Sequence, residues 1–358
     1  MKSLLLSGLF SGLLSLTVGL ALPAEASDWS SARYLPNYPF APTKPLAPEP
    51  AYQQIFNSVN RDHIFKVLQE MTGYLPVTVG GQTYRITNRY SAEAKAKYRL
   101  YWRQFFENLG MSVQELTFAG NHLPGESTGH NLEAVLPGKT KDSIIVIVHY
   151  DSMGPFGQEV NNPAVDDDMT GMAITLETAR LLVEHKSQLH HTVRFVAADA
   201  EELGELQGAR EYAKYIKDLS QRENFKLVAS VDNEQTGWNC SADGVCSTKD
   251  LTFDVFSCSG DRYNFPEIGN ALQEVAITYS NLKVARGCIG ENSDHYAMWE
   301  IGVPSVVYSE HEPFANPHFD NSGGDTFDKI DQDYFFKIAQ VGVTFAAKLA
   351  GLDGTAGL

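Results

Sequence analysis

Basic residues are scarce in this sequence: 28 Lys and Arg stand against 44 Asp and Glu, which gives a formal net charge of −16 over 358 residues. Nucleic-acid phosphates and anionic membrane surfaces repel such a chain, so we expect neither as a partner, whereas metal ions suit it. Internal repeats are absent as well. Because 43% of the residues are hydrophobic and 20% are charged, the composition predicts a globular protein and excludes a disordered or fibrous one.

Long hydrophobic runs are confined to the amino terminus. Lys2 precedes an apolar segment, residues 4–22, which Ser, Thr and Gly interrupt at seven positions. Since a membrane-spanning helix needs about 20 strongly apolar residues, we predict instead a signal peptide over residues 1–26, in which the small residues Ala24 and Ala26 suit a signal peptidase. No cysteine follows this run to carry a lipid anchor, and no later segment could span a bilayer. We therefore expect a secreted or periplasmic protein without membrane contact after cleavage.

Cysteines are few, and they lie in one part of the chain: Cys240, Cys246, Cys258 and Cys288. No pair has the C-x-x-C spacing of a thiolate zinc site, so we exclude a cysteine metal centre. In an exported protein, four cysteines can form two disulfides in three ways. Proximity in the sequence favours the pairs Cys240 with Cys246 and Cys258 with Cys288.

Prolines are concentrated in residues 27–50, where we predict a linker or an extended arm because proline disfavours helices and lacks an N–H donor. From residue 51 onward strand and helix patterns alternate, and we expect a single domain over residues 51–358. Four short apolar runs are typical of buried strands: residues 144–148, 193–198, 227–231 and 303–308. Helical patterns separate some of them, so the sequence predicts an α/β layered fold with a largely parallel sheet.

Chelating side chains follow each of these strands. His149 and Asp151 come after the first strand, Glu201 and Glu202 after the second, and Asp232 after the third. The fourth strand is followed by several more: Glu310, His311, Glu312, His318 and Asp320. In an open α/β sheet, ligands gather at the carboxyl ends of the strands. A single histidine or a single Glu-Glu pair is usually an ordinary surface feature. Chelating side chains at four strand ends, however, together predict a metal site.

Three consecutive aspartates, Asp166 to Asp168, stand directly before a predicted helix. One aspartate would be enough to cap that helix. Negative charge concentrated at one point is costly unless a cation neutralises it, so we interpret one of the three as a bridging ligand for divalent metal. The Glu201-Glu202 pair permits a division of roles, because one carboxylate can hold a metal while its neighbour stays free as a general base.

In this order, the motifs resemble peptidase family M28, a family of secreted zinc aminopeptidases with two co-catalytic ions. The resemblance covers about residues 57–350 and rests on these segments: RYS at Arg89, NLEAVLPGK at Asn131, HYDS at His149, DDDMTG at Asp166, EELGELQGA at Glu201, the strand ending in Asp232, SDH at Ser293 and DTFDKID at Asp325. It implies a twisted, mostly parallel mixed sheet with helices on both faces. It also implies a hydrolase that removes the N-terminal residue of peptides.

Carried over residue by residue, the resemblance implies a set of zinc ligands: His149 and Asp232 for one ion, Glu202 and His318 for the other, and Asp167 between the two ions. Asp167 is preferred to its neighbours because the family's bridging aspartate stands four residues before a glycine, here Gly171. The resemblance makes Glu201 the general base that acts on a metal-bridging water. Asp151 and Asp294 would orient ligands, and Ser293 and His295 would line the site.

The last ligand departs from the family's pattern. The family has a histidine four residues before an Asp-Thr pair, whereas here His318 lies seven residues before Asp325. Imidazole is a good zinc ligand, which favours His318. Asp320 and His311 are the alternatives.

Two other functions fit the same motifs. Glutaminyl cyclases share this fold and also carry HYDS and a Glu-Glu pair, but they use a single zinc to cyclise N-terminal glutamine. A non-catalytic binding module could also use the scaffold after losing its metals. The glycine-rich EELGELQGA segment favours the peptidase over the cyclase. The retained ligand residues argue against the binding module.

Overall fold

A nine-stranded mixed sheet forms the centre of the fold. The computed structural model describes residues 33–34, 45–120, 123, 125–153, 162–202, 206–246, 251–260, 262–318 and 324–352. The predicted signal peptide and most of the predicted Pro-rich arm lie outside these residues. The described strands are β1 (Arg33–Tyr34), β2 (Val77–Val79), β3 (Gln82–Tyr84), β4 (Val113–Ala119), β5 (Thr128–Leu136), β6 (Ser143–His149), β7 (Thr192–Ala198), β8 (Leu227–Asn233), β9 (Thr252–Phe256), β10 (Lys283–Cys288) and β11 (Ser305–Glu310).

Helices cover both faces of this sheet. They are α1 (Pro50–Ser58), α2 (Arg61–Met71), α3 (Ala92–Asn108), α4 (Gly171–Glu184), α5 (Gln207–Glu223), α6 (Pro266–Tyr279), α7 (His295–Glu300) and α8 (Gln332–Leu349). Side chains of β6 alternate between the two faces. Ile144 and Val146 pack in the core with α2, α4 and α8, whereas Ile145 and Ile147 pack with α5 and α7. Burial on both sides explains why this strand reads as a continuous apolar run. Among the described helices, none is long and apolar enough to cross a bilayer.

The strand order is β1-β10-β9-β11-β8-β6-β7-β5-β4, and β2 and β3 form a separate hairpin. The four central strands, β11, β8, β6 and β7, run parallel to one another. Antiparallel neighbours, β9 on one side and β5 on the other, continue the sheet toward its edges. The predicted α/β fold class is therefore confirmed.

The parallel centre of the sheet determines where the site can form. Because β6, β7, β8 and β11 share one direction, their carboxyl ends meet at one edge. At that edge β6 ends at His149, β7 at Ala198, β8 at Asn233 and β11 at Glu310. The loops that leave these four strands carry the chelating residues singled out in the sequence.

Two disulfides cross-link the chain between β8 and α7. They join Cys240 to Cys246 and Cys258 to Cys288. The pairing favoured by proximity in the sequence is thus confirmed. The second disulfide joins Cys258, two residues after β9, to Cys288, the last residue of β10. It therefore cross-links two neighbouring strands.

Removing the two disulfides should lower stability unequally. A cross-link restricts the unfolded chain more when it closes a longer loop. The sequence separation is 30 residues for Cys258–Cys288 and 6 residues for Cys240–Cys246. We expect the double alanine variant at Cys258 and Cys288 to lose about 4 kcal/mol of unfolding free energy, and that at Cys240 and Cys246 about 2 kcal/mol. Denaturant unfolding measures both, and equal losses would contradict the expectation.

Candidate metal centre

Three chelating side chains meet at the carboxyl edge of the sheet. Nε2 of His149 lies 3.0 Å from Oδ1 of Asp167 and 3.8 Å from Oε1 of Glu234. One ligand atom from each residue lies within 4.8 Å of the others. We call His149, Asp167 and Glu234 the ligand cluster. Imidazole nitrogen and carboxylate oxygen are zinc ligands, and three protein ligands are typical of a catalytic zinc site.

Glu234 stands in the cluster where the sequence predicted Asp232. In the register of the sheet, Asp232 pairs with Ile147, two residues before His149. Oδ2 of Asp232 instead accepts the backbone N–H of His295 at 2.9 Å. Glu234 lies two residues further along the chain, directly after β8 ends at Asn233. The structure therefore brings Glu234 into the ligand cluster, and zinc binding by Asp232 stays a prediction.

Asp167 is the one member of the Asp166–Asp168 run that reaches His149. Asp166 turns away, and its Oδ1 accepts the N–H of Gly237 at 2.7 Å. Asp168 also turns away, and its Oδ1 accepts the N–H of Gly171 at 3.0 Å at the start of α4. The choice of Asp167 over its neighbours therefore fits this geometry. The other two aspartates hold the surrounding backbone.

Two further residues hold the Asp167 carboxylate in place. Oδ2 of Asp325 accepts the backbone N–H of Asp167 at 2.9 Å, and its Oδ1 accepts that of Asp166 at 2.8 Å. Nε2 of Gln235 donates to Oδ2 of Asp167 at 3.1 Å. Gln235 follows Glu234 with a positive φ of 45°, so the chain turns sharply where it enters the site.

Asp151 connects His149 to the Glu201-Glu202 loop, as an orienting residue would. Nδ1 of His149 lies 3.2 Å from the carbonyl oxygen of Asp151 and 3.5 Å from its Oδ1. The two carboxylate oxygens of Asp151 accept the N–H groups of Glu201 and Glu202 at 3.1 Å and 3.2 Å. Burial raises the pKa of Asp151, but its hydrogen bonds to His149 and Glu201 and the charge of His149 together have a larger, opposite effect. The pKa of Asp151 therefore lies below its usual value.

A buried ion pair anchors the turn that leads to Glu201. Nζ of Lys95, on α3, lies 3.1 Å from Oδ1 of Asp199, directly after β7. Asp199 also accepts the N–H groups of Ala200 and His130, both at 3.0 Å. Ala200 has a positive φ of 60°. The chain therefore reverses at Ala200 and returns Glu201 toward His149.

Glu201 and Glu202 are only partly accessible to solvent and lie in a strongly negative environment. Desolvation raises the pKa of Glu201 well above its usual range, and the charges of Glu202 and Glu234 add to this while His149 opposes it. Desolvation likewise raises the pKa of Glu202, with the charge of Asp167 adding to it. A carboxyl group with a raised pKa can exchange a proton near neutral pH.

Several buried polar atoms near the ligand cluster have no hydrogen-bond partner among the described residues. They are Oδ2 of Asp168, Oδ1 of Asp232, both carboxylate oxygens of Asp294 and Nε2 of His295. Burial raises the pKa of Asp294 well above its usual range, and the charge of Asp232 adds to this. Buried carboxylates without partners are costly. This excess of acceptors fits a site that binds cations.

The histidines predicted as the last ligand lie elsewhere. Nε2 of His318 is 3.2 Å from Oδ2 of Asp243, in the loop closed by the first disulfide. Nδ1 of His311 is 2.7 Å from Oδ1 of Asp254. Neither histidine belongs to the group of ligand atoms found among the described residues. The remaining alternative, Asp320, lies outside the described residues.

Metal removal should make stability fall as the pH rises. Burial raises the pKa of Glu234 from 4.5 to about 7, although hydrogen bonding to His149 opposes this, and burial also raises the pKa of Glu202 well above its usual range. The folded metal-free protein then keeps protons that the unfolded chain releases above about pH 4.5. Each proton bound only in the folded state lowers the free energy of unfolding by about 1.4 kcal/mol per pH unit. We expect the Tm of the chelated protein to fall between about pH 5 and pH 7. Thermal unfolding with chelator or with zinc measures this, and parallel pH profiles would contradict it.

Comparison with known proteins identifies the family. Residues 131–346 match the model of Peptidase family M28. The chain belongs to peptidase family M28. This M28 chain is also similar to the probable leucine aminopeptidase of Arthroderma otae, at 25% identity over 226 residues. The similar region covers 62% of this chain and 57% of that relative, so the chain spans less than two thirds of the relative's length.

Solved structures share the M28 chain's fold. The LapA aminopeptidase of Legionella pneumophila superposes with a TM-score of 0.65 at 21% identity, covering 86% of this chain and 78% of that one. The glutaminyl cyclase of Porphyromonas gingivalis superposes with a TM-score of 0.60 at 17% identity, covering 80% of this chain and 96% of that one. At these identities the two structures show a common fold and leave the reaction to be argued from the site.

Proposed function

We propose that this M28 chain is a zinc-dependent aminopeptidase that hydrolyses the N-terminal peptide bond of peptides. The observation that carries the proposal is the ligand cluster at the carboxyl edge of the sheet, with Glu201 on the adjoining loop. Family membership supports a hydrolase acting on peptide bonds. The aminopeptidases that the motifs resemble support zinc as the metal.

We propose that the chain would hold two zinc ions and that Asp167 would be a ligand of both. We assign the first ion to the ligand cluster, with Glu234 in place of Asp232. For the second ion we assign Asp167 and Glu202, since the charge of Asp167 raises the pKa of Glu202 and a shared cation would relieve that repulsion. His318 is bonded to Asp243, so we propose no third residue for the second ion.

The chain's own groups can perform the proton transfers of amide hydrolysis. Bound zinc supplies Lewis-acid polarisation of the scissile carbonyl and stabilises the charge that develops there. Glu201, with its raised pKa, takes a proton from the attacking water and gives it to the leaving amine. Asp151 holds the Glu201 N–H, which keeps this carboxylate oriented toward the ligand cluster. The surrounding carboxylates attract the protonated amino terminus of a peptide, which favours cleavage at the first residue.

Elemental analysis together with substrate hydrolysis tests this proposal. We expect two zinc ions per chain and release of chromophore from a panel of aminoacyl chromogenic substrates. Chelation should abolish the hydrolysis, and added zinc should restore it. Absence of bound zinc, or hydrolysis that survives complete metal removal, would overturn the proposal.

A glutaminyl cyclase is the second candidate function. The described residues contain one complete group of three metal ligands, which is what a single-zinc enzyme needs. Pyroglutamate formation from peptides that begin with glutamine, together with about one zinc per chain, would favour the cyclase. Hydrolysis of peptides without an N-terminal glutamine favours the aminopeptidase.

We also propose that the chain is exported and loses residues 1–26. The two disulfides support this, because they form and persist in oxidising compartments. N-terminal sequencing of the secreted or periplasmic protein should begin at Ser27. A mature protein that begins at Met1 would contradict the proposal.

A further inference from the structure

We propose that Arg89 is a positioning residue of the metal centre. Its guanidinium group ties the segment that carries His149 to the segment that leads into Asp167. This inference rests on the proposed function, because the ligand cluster is the group that Arg89 positions. Arg89 belongs to the RYS motif, which the proposed chemistry leaves without a role.

The Arg89 guanidinium contacts the main chain on both sides of the site. The side chain is fully buried. Its Nε donates to the carbonyl oxygen of Tyr150 at 2.8 Å, between His149 and Asp151. Its Nη1 and Nη2 donate to the carbonyl oxygens of Pro163 and Ala164, each at 2.9 Å. One planar group therefore fixes two chain segments relative to each other.

The Arg89 backbone adds a second connection to the first of these segments. Its N–H donates to Oγ of Ser152 at 3.0 Å, and its carbonyl oxygen accepts the N–H of Ser152 at 3.3 Å. The second segment needs support, since Ala164 has a positive φ of 44°, a conformation that is unfavourable for a residue with a side chain. The bond from Nη2 holds that conformation three residues before Asp167.

Arginine suits this position better than lysine would. A guanidinium group presents donors in a rigid plane, whereas an ammonium group is a point donor on a flexible stem. With the bond from Nη1 to the carbonyl oxygen of Met71 at 3.3 Å, four carbonyl oxygens are approached from different directions, which needs the planar arrangement. Burial lowers the pKa of the Arg89 guanidinium, and the nearby charges of Asp325, Asp151 and Glu202 oppose this effect. Arg89 therefore places a cation beneath a strongly acidic site.

Metal affinity and metal geometry test this inference on the full-length mature protein. The variant is Arg89→Lys, which keeps the charge and loses the planar donors. The matched control is Arg194→Lys. Arg194 is another buried arginine, on β7, and its Nη1 lies 2.9 Å from Oε1 of Glu133 on β5. The measurements are the zinc dissociation constant from competition with a chromogenic chelator and the visible spectrum of the cobalt-substituted protein.

For Arg89→Lys we expect zinc affinity to fall about 10- to 100-fold, as it does when groups that orient ligands are lost. We also expect a changed cobalt spectrum, because the spectrum reports the arrangement of His149 and the carboxylates. Arg194→Lys should be less stable to denaturant but should keep the wild-type zinc affinity and spectrum. A purely structural role for Arg89 would change stability in both variants and the spectrum in neither.

Each outcome bears on one proposal. If the wild-type protein binds no zinc, the proposed metal centre fails before Arg89 is considered. If the wild type binds zinc and Arg89→Lys matches its affinity and spectrum, the positioning inference is overturned. If Arg89→Lys does not fold, Ser152→Ala decides, since it removes only the Oγ acceptor for the Arg89 N–H. We then expect a measurable loss of zinc affinity, and an affinity equal to wild type would overturn the inference.

Discussion

Glu201→Gln is expected to keep its zinc and to lose about 10²- to 10⁴-fold in kcat, the usual contribution of general acid–base catalysis. Glutamine has nearly the same shape as glutamate and leaves the N–H bond to Asp151 intact. It cannot accept a proton from water. Its effect should therefore fall on kcat, with bound zinc unchanged. Steady-state kinetics and elemental analysis of the same preparation measure both quantities.

The control for this variant is Glu211→Gln. Glu211 is a surface residue of α5 that pairs with Lys214 at 2.6 Å, so its loss removes one negative charge far from the strand ends. Kinetics should stay close to those of the wild type. A Glu201→Gln enzyme with a near wild-type rate would remove Glu201 from the mechanism, and one that has lost its zinc would make Glu201 a ligand.

Glu234→Gln should abolish most zinc binding, whereas Asp232→Asn should not. Glu234 lies 3.8 Å from Nε2 of His149, and removing the charge of one of three ligands should weaken zinc binding by more than about 100-fold. Asp232 accepts the His295 N–H at 2.9 Å, and the amide oxygen of asparagine can keep that bond. We expect its zinc affinity to change by less than about tenfold. Zinc competition titrations of both variants measure the difference.

This pair of variants separates the two ligand assignments directly. Asp232 lies near the end of β8 and Glu234 directly follows that strand, so each is a matched control for the other. The reverse ranking, with zinc lost in Asp232→Asn and kept in Glu234→Gln, would restore the assignment made from the sequence.

Hydrophobic periodicity was enough to predict the α/β fold and the edge at which chelating residues meet. The run at residues 144–148 is apolar throughout, and the run at residues 193–198 is apolar except for Arg194, because β6 and β7 are buried on both faces. The antiparallel neighbours β5 and β9 could not be derived in the same way, since a buried strand has the same pattern in either direction. Strand direction depends on connections that apolar patterns do not encode.

The sequence could not show which of the chelating side chains reach His149. Asp232 and Glu234 are only two residues apart, and the sheet register pairs Asp232 with Ile147, two residues before His149, whereas the Glu234 carboxylate lies 3.8 Å from His149. The same limit applies to His318. Its pairing with Asp243 depends on the path of a disulfide-closed loop, which short-range patterns do not predict. Arg89 was visible as a motif, but its contacts with the distant carbonyl groups of Tyr150, Pro163 and Ala164 were not.

The shortest strand of the fold has a consequence for the behaviour of the purified enzyme. β1 pairs through Arg33 and Tyr34 with Cys288 and Gly287 of β10, so these two residues occupy the outer side of that strand. Without Arg33 and Tyr34, unpaired amide and carbonyl groups of β10 would be open to pairing with another molecule. An expression clone that begins after this arm would therefore retain every proposed ligand and yet be prone to self-association.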